Sequence, residues 1–271
     1  MKRYFYYQWN LMLLATSFFT RLPMATNIQY SPSKMKRASQ YFAVVGWLLA
    51  CILVGFYAIL LPIIGLLPSL CVLLILSILL TGALHEDGLA DTCDGFWGGH
   101  SAQQKLAIMK DSRIGTYGTC ALVLVLLTKF VVWWQLAQQQ QLVLALCIAY
   151  PFSRAMAISH VQDMDYVSHS KPGATSRSKS EPVAKPFNSK QLSFVFFSGV
   201  AAALTLPLST LIYLIVACTA LRYLFKALLN RHIQGYTGDS LGAAQQLQEL
   251  LIYLVLLANV VTSGASQGLI K

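Results

Sequence analysis

Charge is what this sequence has least of. Only 11% of its 271 residues are Asp, Glu, Lys or Arg and 56% are hydrophobic, whereas soluble domains carry roughly 25% charged residues. Several apolar runs reach the roughly 20 residues that a membrane-crossing helix needs. Together these exclude a soluble globular core and predict an all-α, polytopic membrane bundle forming a single transmembrane domain over 1–271. Cysteine occurs six times, at Cys51, Cys71, Cys93, Cys120, Cys147 and Cys218, never as a C-x-x-C pair and mostly inside apolar runs. Neither a disulfide framework nor a zinc site is expected, since a buried thiol behaves as a small hydrophobe. No A-x-A-like cleavage site follows a short apolar segment after Met1-Lys2-Arg3-Tyr4-Phe5, so no cleavable signal is expected. No internal repeat is present. Acids are scarcer than bases, ten against twenty, for a net charge of +10. Between apolar runs such an excess marks loops that set orientation and touch anionic lipid. The expected macromolecular partner is therefore the lipid bilayer, with no nucleic acid.

The apolar runs predict seven spans, at about 40–61, 63–84, 116–136, 141–159, 192–207, 208–228 and 245–263. The fifth and sixth are one apolar stretch, divided at Pro207 because proline disrupts a helix interior. Trp9 to Leu22 is apolar but short and reads as an interfacial or re-entrant helix within an N-terminal segment, 1–39. Basic residues fall in 1–39, 85–115, 160–191 and near 229–244, whereas the turns around Pro62, Gln138–Gln141 and Pro207 carry none. The positive-inside rule then puts the N-terminus and every polar loop on the cytoplasmic side. The loop at 161–190, rich in Ser, Lys and Pro, reads as a flexible connector.

Five of the ten acids are Glu86, Asp87, Asp91, Asp94 and Asp111, the first four within His85–Gly95, directly after the second apolar run. Asp87, Asp91 and Asp94 stand at i, i+4 and i+7 and share one helix face. Two carboxylates about 5 Å apart repel by roughly 3 kcal/mol at an effective dielectric near 20, so such a stripe calls for a cation. Hard oxygen ligands suit Mg²⁺, Mn²⁺ or Ca²⁺, and a few carboxylates completed by substrate phosphates is the usual Mg²⁺ arrangement. Glu86 points away from the stripe and joins as a fourth ligand only if the helix unwinds, which Gly88 permits. His85 reads as a hydrogen-bonded helix-end histidine or a proton acceptor.

A second constellation, Lys110-Asp111-Ser112-Arg113-Ile114-Gly115-Thr116-Tyr117-Gly118, precedes the third span. Lys110 and Arg113 supply charge-assisted hydrogen bonds to phosphate, and Gly115 and Gly118 at a helix start leave amides aimed at an anion. Asp111 reads as a further metal ligand or a general base. A third, Gly235-Tyr236-Thr237-Gly238-Asp239-Ser240-Leu241-Gly242-Ala243, opens the last span, with Asp239 in its first turn. Arg154 and Lys129 are ionisable residues in apolar runs. The first can snorkel or bind substrate phosphate; the second has no evident role. A stripe of acids facing a basic clamp is the layout of phosphoryl transfer.

These three stretches, with Phe18-Phe19-Thr20-Arg21-Leu22-Pro23, resemble the cobalamin synthase family (adenosylcobinamide-GDP ribazoletransferase, cobalamin 5′-phosphate synthase) over nearly the whole chain. The resemblance implies a Mg²⁺-dependent membrane transferase of vitamin B12 assembly. It would join adenosylcobinamide-GDP to α-ribazole, or its 5′-phosphate, and release GMP at the bacterial inner membrane. On that resemblance Asp87, Asp91, Asp94 and Glu86 would hold the metal, Lys110 and Arg113 would stabilise charge on the transferring group or on departing GMP, and either Asp111 or Asp239 would orient or deprotonate the attacking hydroxyl. Arg21, Gly115, Gly118, Arg154, Thr237 and Gly238 would hold substrate. A homo-oligomer or association with other cobalamin-assembly enzymes is compatible with it. Two rivals share single features. Asp91-Thr92-Cys93-Asp94-Gly95 matches the D-x-x-D-G opening of CDP-alcohol phosphatidyltransferases, but Phe96-Trp97-Gly98-Gly99 then departs from their pattern. An ion-coupled transporter would spread its acids over facing mid-membrane helices instead.

Overall fold

Lipid offers no hydrogen-bonding partner to the backbone, so apolar runs that cross it must close their N–H and C=O groups internally, as helices. A computed structural model describes residues 2–24, 28–167 and 186–268, and every regular element among them is helical. In order they are α1 (Lys2–Phe19), α2 (Pro32–Ala38), α3 (Phe42–Ile64), α4 (Leu66–Thr81), α5 (Leu84–Gly98) and α6 (Ala102–Ile108). After them come α7 (Thr116–Gln138), α8 (Leu142–Ile158), α9 (Ser189–Val200), α10 (Leu208–Ile233) and α11 (Gly238–Gly268). Large apolar side chains such as Leu124 and Val216 are 64% and 61% exposed on the outer faces, which water would not tolerate at this density and lipid does. The chain is an all-α polytopic membrane protein.

Five helical stretches are individually long and apolar enough to cross a membrane: Pro32–Ile64, Thr116–Gln138, Leu142–Gln162, Leu208–Ile233 and Gly238–Thr262. The pair α4 and α5, bent by 84°, makes a sixth if counted as one broken span. The expected seven therefore differ at two places. The run expected at 63–84 stops at Thr81, because Gly82 and Ala83 adopt left-handed φ values of 64° and 58° and turn the chain sharply into α5. The run expected at 192–207 holds only 12 residues of α-helix in α9, tightening into a 3-10 turn over Ala201–Thr205. Pro207 does separate it from α10, since its ring and missing N–H bar a continuous helix. Trp9 to Leu22 falls in and just after α1, which is not among the candidate spans. Of the polar loop at 161–190, residues 168–185 lie outside the described residues.

Two helices form the middle of the bundle. The apolar windows of α8 and α11 are 83% and 61% buried, against 22% for α7 and α10. α3 reaches α8 closely because Gly46 has no side chain: a Cβ there would lie 2.5 Å from the Tyr150 carbonyl oxygen and 2.7 Å from Pro151 Cα. At one end of the bundle the connections knit together. Arg222 and Lys226 of α10 each bridge to Asp163 at 2.7 Å. Tyr236 donates to the Asp165 carbonyl and accepts from the Val167 amide, both at 2.9 Å, tying the segment after α8 to the start of α11. Replacing Gly46 by Leu is expected to wedge α3 from α8 and destabilise the bundle by about 1–3 kcal/mol or more. Thermal unfolding in detergent reads this out, with the same change at Gly55, whose Cβ direction is open, as the control.

Candidate active site

The sharp turn at Gly82 and Ala83 gives α5 a direction of its own, and its polar face meets the N-termini of two other helices. Arg21 sits at this corner: its amide donates to the Leu80 carbonyl at 2.7 Å, and its side chain lies over Gly82. α5 then runs unbroken from Leu84 to Gly98, so Asp87, Asp91 and Asp94 share a face as the spacing required. Asp87 is exposed, Asp91 half-buried and Asp94 buried.

Asp94 has a specific job. Its two carboxylate oxygens accept from the Gly115 amide at 2.7 Å and the Gly118 amide at 2.8 Å. These are otherwise unsatisfied donors at the start of α7, where the helix dipole also favours negative charge. Gly115 and Gly118 thus do hold an anion, but it is the chain's own carboxylate rather than a substrate phosphate. Hydrogen bonds to a charged group contribute roughly 1.5–3 kcal/mol each, so this contact locks α5 to α7.

α11 closes the other side. A Cβ on Gly88 would fall 2.5 Å from the Asp239 carbonyl oxygen, so the start of α11 sits directly on α5 there. Thr237 and Ser240 cap α11 reciprocally, each amide donating to the other's hydroxyl at 2.9 and 3.0 Å. Thr237 is buried in that cap rather than offered to a ligand. Asp239 lies in the first turn and pairs with Lys110 Nζ at 3.0 Å. Asp91 experiences the negative fields of Asp87, Asp239 and Asp94 and the positive field of Lys110. Burial opposes the charge on Lys110, but the Asp239 carboxylate outweighs it and raises the ammonium's pKa.

The loop between α6 and α7 carries the second pair. Arg113 grips Asp111 through Nε and Nη2, the shortest contact being 2.6 Å, and its amide also donates to Asp111. Those hydrogen bonds hold the Asp111 carboxyl below the ordinary carboxylate range. With Asp94 and Tyr117 these residues line an open hollow of about 230 Å³. Arg113 is 87% exposed, and ion pairs this wet contribute little, so its guanidinium can exchange Asp111 for another anion.

Two expected site residues lie elsewhere. Glu86 is buried on a different side of α5 and accepts from Gln246 Nε2 at 3.1 Å; the helix does not unwind at Gly88 to bring it to the stripe. Arg154 is buried in the bundle, donating to the Tyr150 carbonyl at 2.9 Å and lying 3.9 Å from Glu249. Lys129, without a role from sequence, pairs with Glu249 at 2.6 Å. The sequence reading passed over Glu249, Gln245 and Gln246. The signal for Glu249 was there: it is the acid inside the last apolar run, and Lys129 needed a counter-charge. His85 is buried and stacks on Phe42 with ring centroids 5.7 Å apart. Among the described residues no group of three or more His, Cys, Asp or Glu stands in a metal-holding arrangement. Asp87 and Asp91, one turn apart with oxygens not engaged as those of Asp94 are, fit the two-carboxylate mode in which substrate oxygens complete the shell.

Replacing Gly118 by Ala puts a methyl 2.9 Å from the Ala90 carbonyl and against the Asp94 carboxylate. The expected outcome is a lower unfolding temperature and at least a tenfold loss of turnover, with Cys120→Ala, an exposed site one half-turn away, unchanged in both.

Comparison with known proteins gives the same answer along nearly the whole chain. The family model described as cobalamin-5-phosphate synthase matches residues 11–257. An adenosylcobinamide-GDP ribazoletransferase of Pseudoalteromonas atlantica is 55% identical over 257 residues, covering 95% of this chain and 94% of the relative. Enzymes of the same name from Vibrio parahaemolyticus and Vibrio cholerae are 44% and 43% identical, each covering 93% of this chain and, respectively, 93% and 95% of the relative. No solved structure matches the chain. Matched over nearly its whole length by that family model and by these relatives, the chain belongs to the cobalamin-5-phosphate synthase family.

Proposed function

We propose that this protein is an adenosylcobinamide-GDP ribazoletransferase. It joins adenosylcobinamide-GDP to α-ribazole, or α-ribazole 5′-phosphate, yielding adenosylcobalamin, or its 5′-phosphate, and GMP. The ribose 3′-hydroxyl attacks the phosphorus attached to the cobinamide arm. The bond from that phosphorus to the bridging oxygen breaks, GMP leaves, and the hydroxyl proton passes to a carboxylate. The observation that carries the reading is the carboxylate cluster itself: Asp87 and Asp91 on α5, with Asp239 and its partner Lys110 beside Asp91, next to the hollow that Asp94, Asp111 and Arg113 line.

Asp87 and Asp91 would hold Mg²⁺, which supplies charge neutralisation at a diphosphate. Asp94 aims the stripe by its grip on α7 and keeps the Gly115–Gly118 turn in place. Arg113 gives up its solvent-exposed pairing with Asp111 to meet the guanosine-side phosphate. Lys110 holds Asp239 beside Asp91, and Asp239 accepts the proton or orients the hydroxyl. Asp111, held by Arg113 on the loop before α7, is the alternative acceptor. The basic loops gathered at the groove's end of the bundle support an orientation with this end in the cytoplasm and the protein in the bacterial inner membrane.

Asp91→Asn is expected to abolish turnover while the protein still inserts and stays monodisperse; normal turnover would remove Asp91 from the site. In a membrane-fraction assay, EDTA should stop cobalamin formation and GMP release together and added Mg²⁺ should restore both. Activity that survives chelation would count against the metal. Asp239→Asn is expected to lower kcat by about 10²–10⁴, the usual contribution of a general base, and Asp111→Asn by far less. The reverse order would exchange their roles.

A further inference from the structure

α5 is a short helix whose direction is independent of α4, because the left-handed link at Gly82 and Ala83 uncouples them. Something must set its rotation about its own axis. A turn of about 100° separates neighbouring residues on a helix, so a small roll would swing Asp87 and Asp91 out of the groove. The Asp94 contact fixes the second half of α5. The first half packs against the start of α11 at Gly88 and carries the Glu86–Gln246 hydrogen bond.

Glu86 lies at the end of a buried polar chain that crosses four helices. Lys129 of α7 pairs with Glu249 of α11 at 2.6 Å, and Arg154 of α8 approaches the same carboxylate at 3.9 Å. Gln245 Nε2 donates to Glu249 at 2.6 Å and to Ser153 Oγ of α8 at 3.1 Å. Gln246 Nε2 in turn donates to Gln245 Oε1 at 3.0 Å and to Glu86 Oε1 at 3.1 Å. Each amide nitrogen thereby uses both hydrogens, and its oxygen or its neighbour's is fixed. Lys129, Gln245, Gln246 and Glu249 are all no more than 3% exposed. In such surroundings an unmade hydrogen bond is expensive; Glu86 Oε1 and the two glutamine nitrogens are matched, whereas Glu86 Oε2 and Arg154 Nε have no partner.

We infer that Glu86 is a positioning residue: through Gln246 and the Lys129–Glu249–Arg154 cluster it sets the rotation of α5, and so aims Asp87 and Asp91 at the substrate diphosphate. The inference rests on the reading of that stripe as the active site. It assigns Glu86 a hydrogen-bond acceptor's role in place of the metal-ligand role its sequence position suggested. A misplacement of about 1 Å at reacting groups can lower turnover by about 10²-fold, while groups that bind the rest of the substrate are untouched.

The test uses the full-length protein in lipid nanodiscs, scored as monodisperse and helical before assay. Glu86→Leu and Gln246→Leu are each expected to lower kcat by tenfold or more with KM for α-ribazole within about threefold. The double variant should be no worse than either single one, because both remove the same link. Glu86→Gln, which keeps a carbonyl oxygen for Gln246, should return kcat to within about threefold of the parent. A Glu86→Gln protein as inactive as Glu86→Leu would overturn the proposal, since the carboxylate itself would then be required. Parent-level activity in Glu86→Leu would overturn it as well. Asp91→Asn in the same assay separates the two ideas: if it turns over normally, the stripe is not the active site. If it is inactive while Glu86→Leu is normal, only the positioning role falls.

Discussion

The site depends on one carboxylate placed where a helix begins. Asp94 satisfies two amides at the start of α7, and in doing so converts three separate sequence stretches into one groove. Without it the buried Gly118 amide at the start of α7 would lose its partner, and the loop that leads into α7 would lose its tie to α5. The same helix-start chemistry that elsewhere binds phosphate is here directed inward. That leaves the exposed Asp87 and the half-buried Asp91 as the carboxylates of the stripe not engaged in this way.

Scarcity of charge explains the division of labour. In a chain with ten acids and twenty bases in 271 residues, two sets of charged residues flank α5. One faces the open groove at the end of the bundle, where water reaches it. The other, built on Glu249 and Lys129, is sealed between helices and is close to neutral, as a buried set must be when each unpaired ion would cost several kcal/mol. The two sets meet at consecutive residues, Glu86 and Asp87, so the interior packing and the reactive face are adjoining parts of one short helix.

Much of this was legible in the sequence. The length of the apolar runs dictated helices, Pro207 marked a real break, and the spacing of Asp87, Asp91 and Asp94 placed them on one face. Two kinds of information were not legible. The stop at Thr81 arises from left-handed backbone at Gly82 and Ala83, and an alanine in that conformation carries no sequence signature, so the span was read too long. Which partner a polar group finds was also hidden. Gly115 and Gly118 correctly signalled an anion, but nothing local says that the anion is Asp94. Arg154 read as a phosphate ligand because its counter-charge, Glu249, is remote in sequence. Pairings across a bundle are set by helix packing, which periodicity alone does not determine.

The central claim, that Asp87 and Asp91 face a diphosphate across the groove from Lys110 and Arg113, is tested most directly by an experimental structure of the protein with adenosylcobinamide-GDP and Mg²⁺ bound. The expected result is a metal ion held by Asp87 and Asp91 next to the diphosphate, with the Arg113 guanidinium moved from Asp111 onto a phosphate. A diphosphate seated away from α5, or a metal ion held by Glu86 in an unwound helix, would contradict it.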